Sequence, residues 1–258
     1  MEIDIKKLLK KYENIDDTYK YAYIGIPKSL GNIKKNFFGT LDEFKRKYPN
    51  FRAKKKLPLV LFMHGSAGLS KGEIYKRYIV SEAKCIFFAP NSFKIKKRPT
   101  YLSPMPLKKY EKVHKLRQVE LDYNLKKVLK LDFIDKKNIF LMGHSEGGVA
   151  ASIYKSKSVK ARIITAFSCE HSYFYENIKL GSRDDEPFLN IIGTDDEYFA
   201  RDSILNRDYN VDGHGVLTLQ NNINAKIVVL GKTRHDITQN IYVKDEIINF
   251  LKLWKNRE

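Results

Sequence analysis

From residue 57 onward, short and continuously apolar runs alternate with segments of helical period. The runs are Leu57–His64, Cys85–Ala89, Asn138–Gly143, Arg162–Phe167, Phe188–Ile192 and Lys226–Leu230. A strand covered on both faces needs apolar side chains at successive positions, so these runs predict a mostly parallel sheet. Val113, Leu116, Leu121, Leu125, Val128 and Leu129 recur near a period of 3.6 and predict a helix over Lys112–Leu131. Shorter helices are predicted over Gly147–Lys155 and Val243–Trp254. Strand and helix in alternation imply an α/β class: a doubly wound, mostly parallel sheet with helices on both faces. Tyr19–Ile26 alternates in polarity and predicts an antiparallel edge strand. Ile5, Leu8, Leu9 and Tyr12 fit one stripe of a short amphipathic helix. Residues 27–56 show no clear period. Polar stretches at 170–186 and 203–224 read as insertions where ligand loops or a small lid could be built.

The 258 residues contain no repeat and no linker-like tract, which predicts a single domain over residues 1–258. The formal net charge is +18, a field that draws polyanions or anionic membranes at low salt. Its lysines run from Lys6 to Lys255, often beside acids, and no zinc-finger spacing or RNP-like motif accompanies them. The expectation is therefore a solvated basic surface with no specific nucleic-acid partner, and a polyanion-binding protein is the rival reading. The densest basic runs, Lys54–Lys56 and Lys94–Arg98, read as loops. Cys85 and Cys169 lie in apolar runs and read as buried free thiols. No ligand spacing for a metal is visible, and no cofactor is expected. No stretch approaches the roughly 20 apolar residues of a bilayer span, and the N-terminus lacks the apolar core of a signal peptide. A cytoplasmic location is the expectation.

Ligands of such sheets bind beyond the carboxyl ends of the strands, and the distinctive residues of this chain fall there. His64-Gly65, Ser145, Asp195-Asp196 and His235 each follow one of the apolar runs. Gly143-His144-Ser145-Glu146-Gly147 matches G-x-S-x-G between an apolar run and an Ala-rich helical segment. Such a turn holds a serine in a strained conformation, and small flanking residues let strand and helix approach. The helix N-terminus behind it favours developing negative charge.

With HGSAG after one strand, GHSEGG after another, GTDD after a third and a late histidine, residues 57–254 resemble the α/β-hydrolase superfamily. Within it the chain is most similar to dienelactone-hydrolase-like members, although serine stands where a dienelactone hydrolase proper carries cysteine. The resemblance implies a Ser145–Asp196–His235 triad. The family's G-T-x-D turn selects Asp196, with Asp195 as competitor and a helix N-cap as the ordinary role of either. Of the histidines after the acid, His235 has the matching context, whereas His214 sits in an insertion. The resemblance also implies an oxyanion hole from the N–H of Glu146 and, in the His64–Gly68 turn, that of Ser66. A phosphate cradle is the alternative for that turn, but no nucleotide-binding glycine pattern accompanies it. His64 and His144 belong to these turns, His114 reads as part of an exposed helix, and His171 as an insertion residue that could line a pocket. Arg98 reads as a solvated loop charge, with a grip on an acidic substrate group as the alternative. Arg117 and Glu120 read as a surface helix pair. The expected activity is hydrolysis of a small acyl substrate, a carboxylic ester or thioester, through an acyl-enzyme. An inactive hydrolase-fold binding protein is the other alternative.

Overall fold

In the computed structural model, which describes residues 8–255 and 257, Leu57–Met63 (β3) shows why an uninterrupted apolar run is needed. Leu59, Leu61 and Met63 face one core, and Val60 and Phe62 face the other. The remaining strands are β1 (Tyr23–Ile26), β2 (Phe37–Thr40), β4 (Ile86–Ala89), β5 (Ile134–His144), β6 (Ala161–Thr165), β7 (Phe188–Gly193) and β8 (Ala225–Leu230). They form one sheet in the order β2-β1-β4-β3-β5-β6-β7-β8. All neighbours from β4 to β8 are parallel, and β1 runs antiparallel to both β2 and β4.

The helices are α1 (Asp16–Lys20), α2 (Leu41–Lys47), α3 (Ser70–Ser81), α4 (Leu107–Val128), α5 (Glu146–Ile153) and α6 (Ile241–Lys255). One face of the sheet is covered by α4 and α5 through Tyr110, Leu121, Leu125, Val149 and Ala150. The other is covered by α3 and α6 through Tyr75, Ile79, Val243, Ile247 and Leu251. The doubly wound, mostly parallel sheet is thus as expected. No helix among the described residues is long and apolar enough to cross a membrane.

Two expectations about the elements need correction. Tyr19–Ile26 is not one edge strand: residues 16–20 are helical, and β1 is an interior strand because β2 pairs along its outer side. β2 and α2 lie in the segment without a clear period. There Thr40 and Glu43 close a capping box, the Thr40 hydroxyl accepting from the Glu43 N–H at 3.2 Å and the Glu43 carboxylate accepting from the Thr40 N–H at 2.7 Å. The long helix starts five residues before Lys112. Of the N-terminal stripe, Leu8, Leu9 and Tyr12 pack against a small cluster that includes Leu116 and Val119, while Ile5 lies outside the described residues.

Strand β5 ends at His144 and α5 begins at Glu146, so the chain passes from strand to helix within the single residue Ser145. Strand and helix meet without room for side chains: a Cβ on Gly147 would lie 1.9 Å from the Met63 carbonyl oxygen, and one on Gly143 2.1 Å from that of Gly147. Overpacking of this kind against backbone is among the costliest, at about 3 kcal/mol or more. Gly147→Ala is therefore expected to lower the urea unfolding midpoint by a stability loss of about 3 kcal/mol, whereas Gly231→Ala, where a Cβ meets nothing within 4 Å, should leave the midpoint within experimental error.

Candidate active site

Ser145 sits in the turn between β5 and α5 with φ 56° and ψ −122°, a region that costs a non-glycine residue roughly 1–3 kcal/mol. Its N–H is spent on the Thr165 carbonyl at 3.0 Å, and its hydroxyl faces the cavity. The His235 ring approaches it from the loop after β8, with Nε2 at 2.9 Å from Ser145 Oγ. On the other side His235 Nδ1 lies 2.7 Å from Asp196 Oδ2. The carboxylate orients the ring: Nδ1–H donates to it, which leaves Nε2 to accept the Ser145 proton.

Asp196 follows β7 and is 1% exposed. Its other oxygen accepts from the N–H groups of Tyr198 at 2.9 Å and Phe199 at 3.0 Å, so the carboxylate is fixed before it meets the histidine. Asp195 points to solvent and accepts from the Thr194 hydroxyl at 2.8 Å. Neither His214 nor His171 reaches Ser145; His171 lines a separate cavity between the two insertions. Those insertions are joined through Glu170, which accepts from the N–H groups of Asp212 at 3.1 Å and Gly213 at 2.8 Å.

A cavity of about 350 Å³ opens over the Ser145 hydroxyl. Gly65, Ser66 and Gly68 form one wall, and Tyr101, Tyr173, Phe174, Tyr198 and Phe199 form the others. Residues 170–186 thus supply Tyr173 and Phe174, whereas 203–224 supply no part of this cavity. At the rim Lys71 pairs with Asp236, the neighbour of His235.

No protein-family model matches the chain, and no curated protein matches it. Solved structures do. Esterase PE8 shares 18% identity, with a TM-score of 0.52 over 78% of this chain and 94% of that one. A proposed dienelactone hydrolase from Klebsiella pneumoniae gives 14% and 0.54 over 92% and 99%. A phospholipase/carboxylesterase from Dyadobacter fermentans gives 14% and 0.52 over 76% and 90%. The fold is the α/β-hydrolase fold. At these identities the likeness is one of fold.

Behind the Ser145 turn this α/β-hydrolase fold encloses four charges, of which Arg98, Arg117 and Glu120 were expected at the surface. Arg117 and Glu120 are fully buried and paired at 2.9 Å, because α4 turns this face toward the sheet. Arg98 is no solvated loop charge: its side chain is 5% exposed and pairs at 2.7 Å with the fully buried Glu146, which Arg117 approaches at 3.4 Å. Arg117 also donates to the His64 carbonyl at 2.7 Å. Arg98 donates to the Ser92 hydroxyl at 2.9 Å, and the Ser92 N–H donates to His64 Nε2 at 3.1 Å. Burial, with Arg117 beside it, holds the His64 pKa well below the ordinary 6.5. One network therefore grips both the residue after Ser145 and the turn that carries Ser66. Glu197 is a further residue the reading missed; its carboxylate accepts from the His235 N–H at 2.9 Å.

His114 is likewise buried, at 4% exposure, and its Nε2–H donates to the Phe174 carbonyl at 2.9 Å behind the cavity wall. Burial pushes its pKa down to about 4.

Two outcomes are expected. Glu146→Gln leaves the nearly buried Arg98 guanidinium without its counter-charge, while Arg117 keeps Glu120, and should destabilise by about 3 kcal/mol in urea unfolding. For His114, the unfolded chain takes up a proton near pH 6.5 that the folded chain refuses until about pH 4. Its contribution is therefore neutral above pH 6.5 and destabilising below it, reaching about 3 kcal/mol near pH 4. Comparison of wild type with His114→Gln across that window should show a shallower fall for the variant.

Proposed function

We propose that the protein is a serine hydrolase that cleaves a carboxylic ester or thioester through an acyl-enzyme on Ser145. The observation that carries this reading is the continuous Asp196–His235–Ser145 relay, with contacts of 2.7 and 2.9 Å. It starts at a carboxylate fixed by backbone donors and ends at a hydroxyl on a strained turn. Solvated surface residues rarely meet these conditions together, and nucleophilic catalysis needs them all.

In the proposed reaction Ser145 Oγ attacks the acyl carbon while His235 Nε2 takes its proton. The carbonyl π electrons move to oxygen, where the N–H groups of Glu146 and Ser66 receive the charge. Collapse of this adduct breaks the bond to the alkoxide or thiolate, and His235 returns the proton to the leaving group. Water then attacks the acyl carbon, losing its proton to His235, and collapse of this second adduct breaks the bond to Ser145 Oγ, which takes the proton back from His235 as the acid departs. Asp196 stays ionised throughout, holding the imidazole tautomer and stabilising the imidazolium. The steps need side chains and backbone alone. The aromatic walls favour an apolar acyl or alcohol group of a size that about 350 Å³ admits.

The test is intact mass after a fluorophosphonate probe. Wild type should gain one adduct; Ser145→Ala should gain none, and His235→Ala much less per unit time. With a short acyl ester, kcat should fall about 10⁴-fold or more in either variant while folding is retained. A folded wild type that neither labels nor turns over any ester or thioester of a size the cavity admits would refute the proposal.

A further inference from the structure

The end of the sheet opposite Ser145 carries a second concave feature. Lys136 and Lys137 lie near the start of β5, the strand whose far end leads into Ser145. Beside them a groove of about 600 Å³ is completed by Lys157 and Lys160 from the α5–β6 connection. Arg183, from the segment before β7, and Lys255 and Arg257, at the end of α6, close it. Seven of its ten lining residues are cationic and none is acidic. The chain has 48 Lys and Arg and 30 Asp and Glu in 258 residues, so ten residues of average composition hold about two cations and one acid. The groove therefore departs from the lysine-rich background in both respects.

Its cations are also short of counter-charge. Arg183 is the exception, paired with Asp185 and Glu186 at 3.2 Å each. Among the described residues no carboxylate pairs with the other six. Asp135, the acid nearest in sequence, is engaged by the Asn138 amide at 2.6 Å and the Lys137 N–H at 3.2 Å. Lys160 donates to the Asn138 side chain at 2.9 Å and to the Arg257 carbonyl, neutral acceptors both. Partial burial lowers the Lys160 pKa against the opposing pull of Asp135. Like charges brought together from separate segments repel, and an anion in the groove relieves that repulsion.

We propose that this groove is a binding site for closely spaced phosphate groups. Their geometry fits point-charge ammonium groups and a guanidinium. Among the described residues no aromatic side chain lines the groove for a base to stack on. The one nearby indole, Trp254, is covered by the Arg257 guanidinium at 4.7 Å, and Val159, the apolar residue of the lining, is 1% exposed. A concave wall without exposed apolar side chains also does not suit a flat bilayer. The ligand is thus a short phosphate chain, free as an oligophosphate or presented by a single-stranded nucleic-acid backbone.

The test separates a built site from the general field of the chain. Wild type is titrated with inorganic tripolyphosphate by calorimetry and with a fluorescein-labelled oligo(dT) by anisotropy. Lys136→Gln/Lys137→Gln/Lys157→Gln is compared with Lys34→Gln/Lys35→Gln/Lys97→Gln, three exposed lysines outside the groove that remove the same charge. Circular dichroism confirms that both fold. The groove variant should lose tripolyphosphate affinity at least tenfold and the control less than twofold. A parallel loss for oligo(dT) assigns the polynucleotide as a second source of the same phosphates, and its absence leaves the free oligophosphate. Equal losses in the two variants, or no tripolyphosphate binding by wild type, would overturn the site.

Discussion

The Met63 carbonyl and the backbone of Gly147 touch with no volume between them, and the arrangement around Ser145 is organised by that contact. It forces α5 to start directly over the end of β3, so the residues leaving β3 are delivered beside the Ser145 hydroxyl. Gly65 continues the same close approach, since a Cβ there would lie 3.2 Å from the Ser145 Cβ. The strained backbone of Ser145 follows from the contact too. A chain that must pass from strand to helix within one residue has no relaxed conformation available for it, and the surrounding packing has to over-determine the strained one.

Steric contact sets where the two turns meet, and buried charge sets how they are held. Arg98, Arg117, Glu120 and Glu146 form a neutral quartet in which each arginine reaches a carboxylate. Apolar side chains of equal volume could fill that space at comparable stability. They could not donate to the His64 carbonyl, as Arg117 does at 2.7 Å, and a buried carbonyl without a donor costs about 1–3 kcal/mol. The quartet is thus better explained by the orientation of the turn that precedes Ser66 than by its own ion-pair energy.

Whatever depends on a run of like side chains was legible in the sequence. Strands buried on both faces are written as apolar runs, so six of them could be found, and the G-x-S-x-G spacing located the turn between β5 and α5. Features set by a neighbour were not legible. β5 runs back to Ile134 through Asp135, Lys136 and Lys137, residues of no strand pattern, because Leu57 pairs with Ile134 across an irregular register. β1 looked like an edge because its outer partner, Phe37–Thr40, is only four residues long. Arg117, Glu120 and His114 looked exposed because polarity along a helix normally marks the solvent side. Here α4 is buried over much of its circumference, and charge on its inner face is matched by charge on Arg98 and Glu146, residues distant in sequence. A single chain read in order does not reveal that pairing.

The same matching divides the charge of the protein into two populations. Inside, Arg117, Arg162 and Lys76 have side chains without exposure, and each has a carboxylate partner, Glu120 at 2.9 Å, Glu186 at 2.6 Å and Glu73 at 2.9 Å. Lys76 adds the face of Tyr23, at 3.3 Å from the ring centre. The interior therefore holds no surplus of cations, and the surplus of +18 belongs to the surface. Exposed charges are screened within about 8 Å at physiological ionic strength, whereas buried pairs are shielded from the ions that would screen them. Ionic strength consequently acts on the two ends of the sheet in different ways. It weakens the field of the basic groove, and it leaves the buried charges that orient the Ser145 turn nearly untouched.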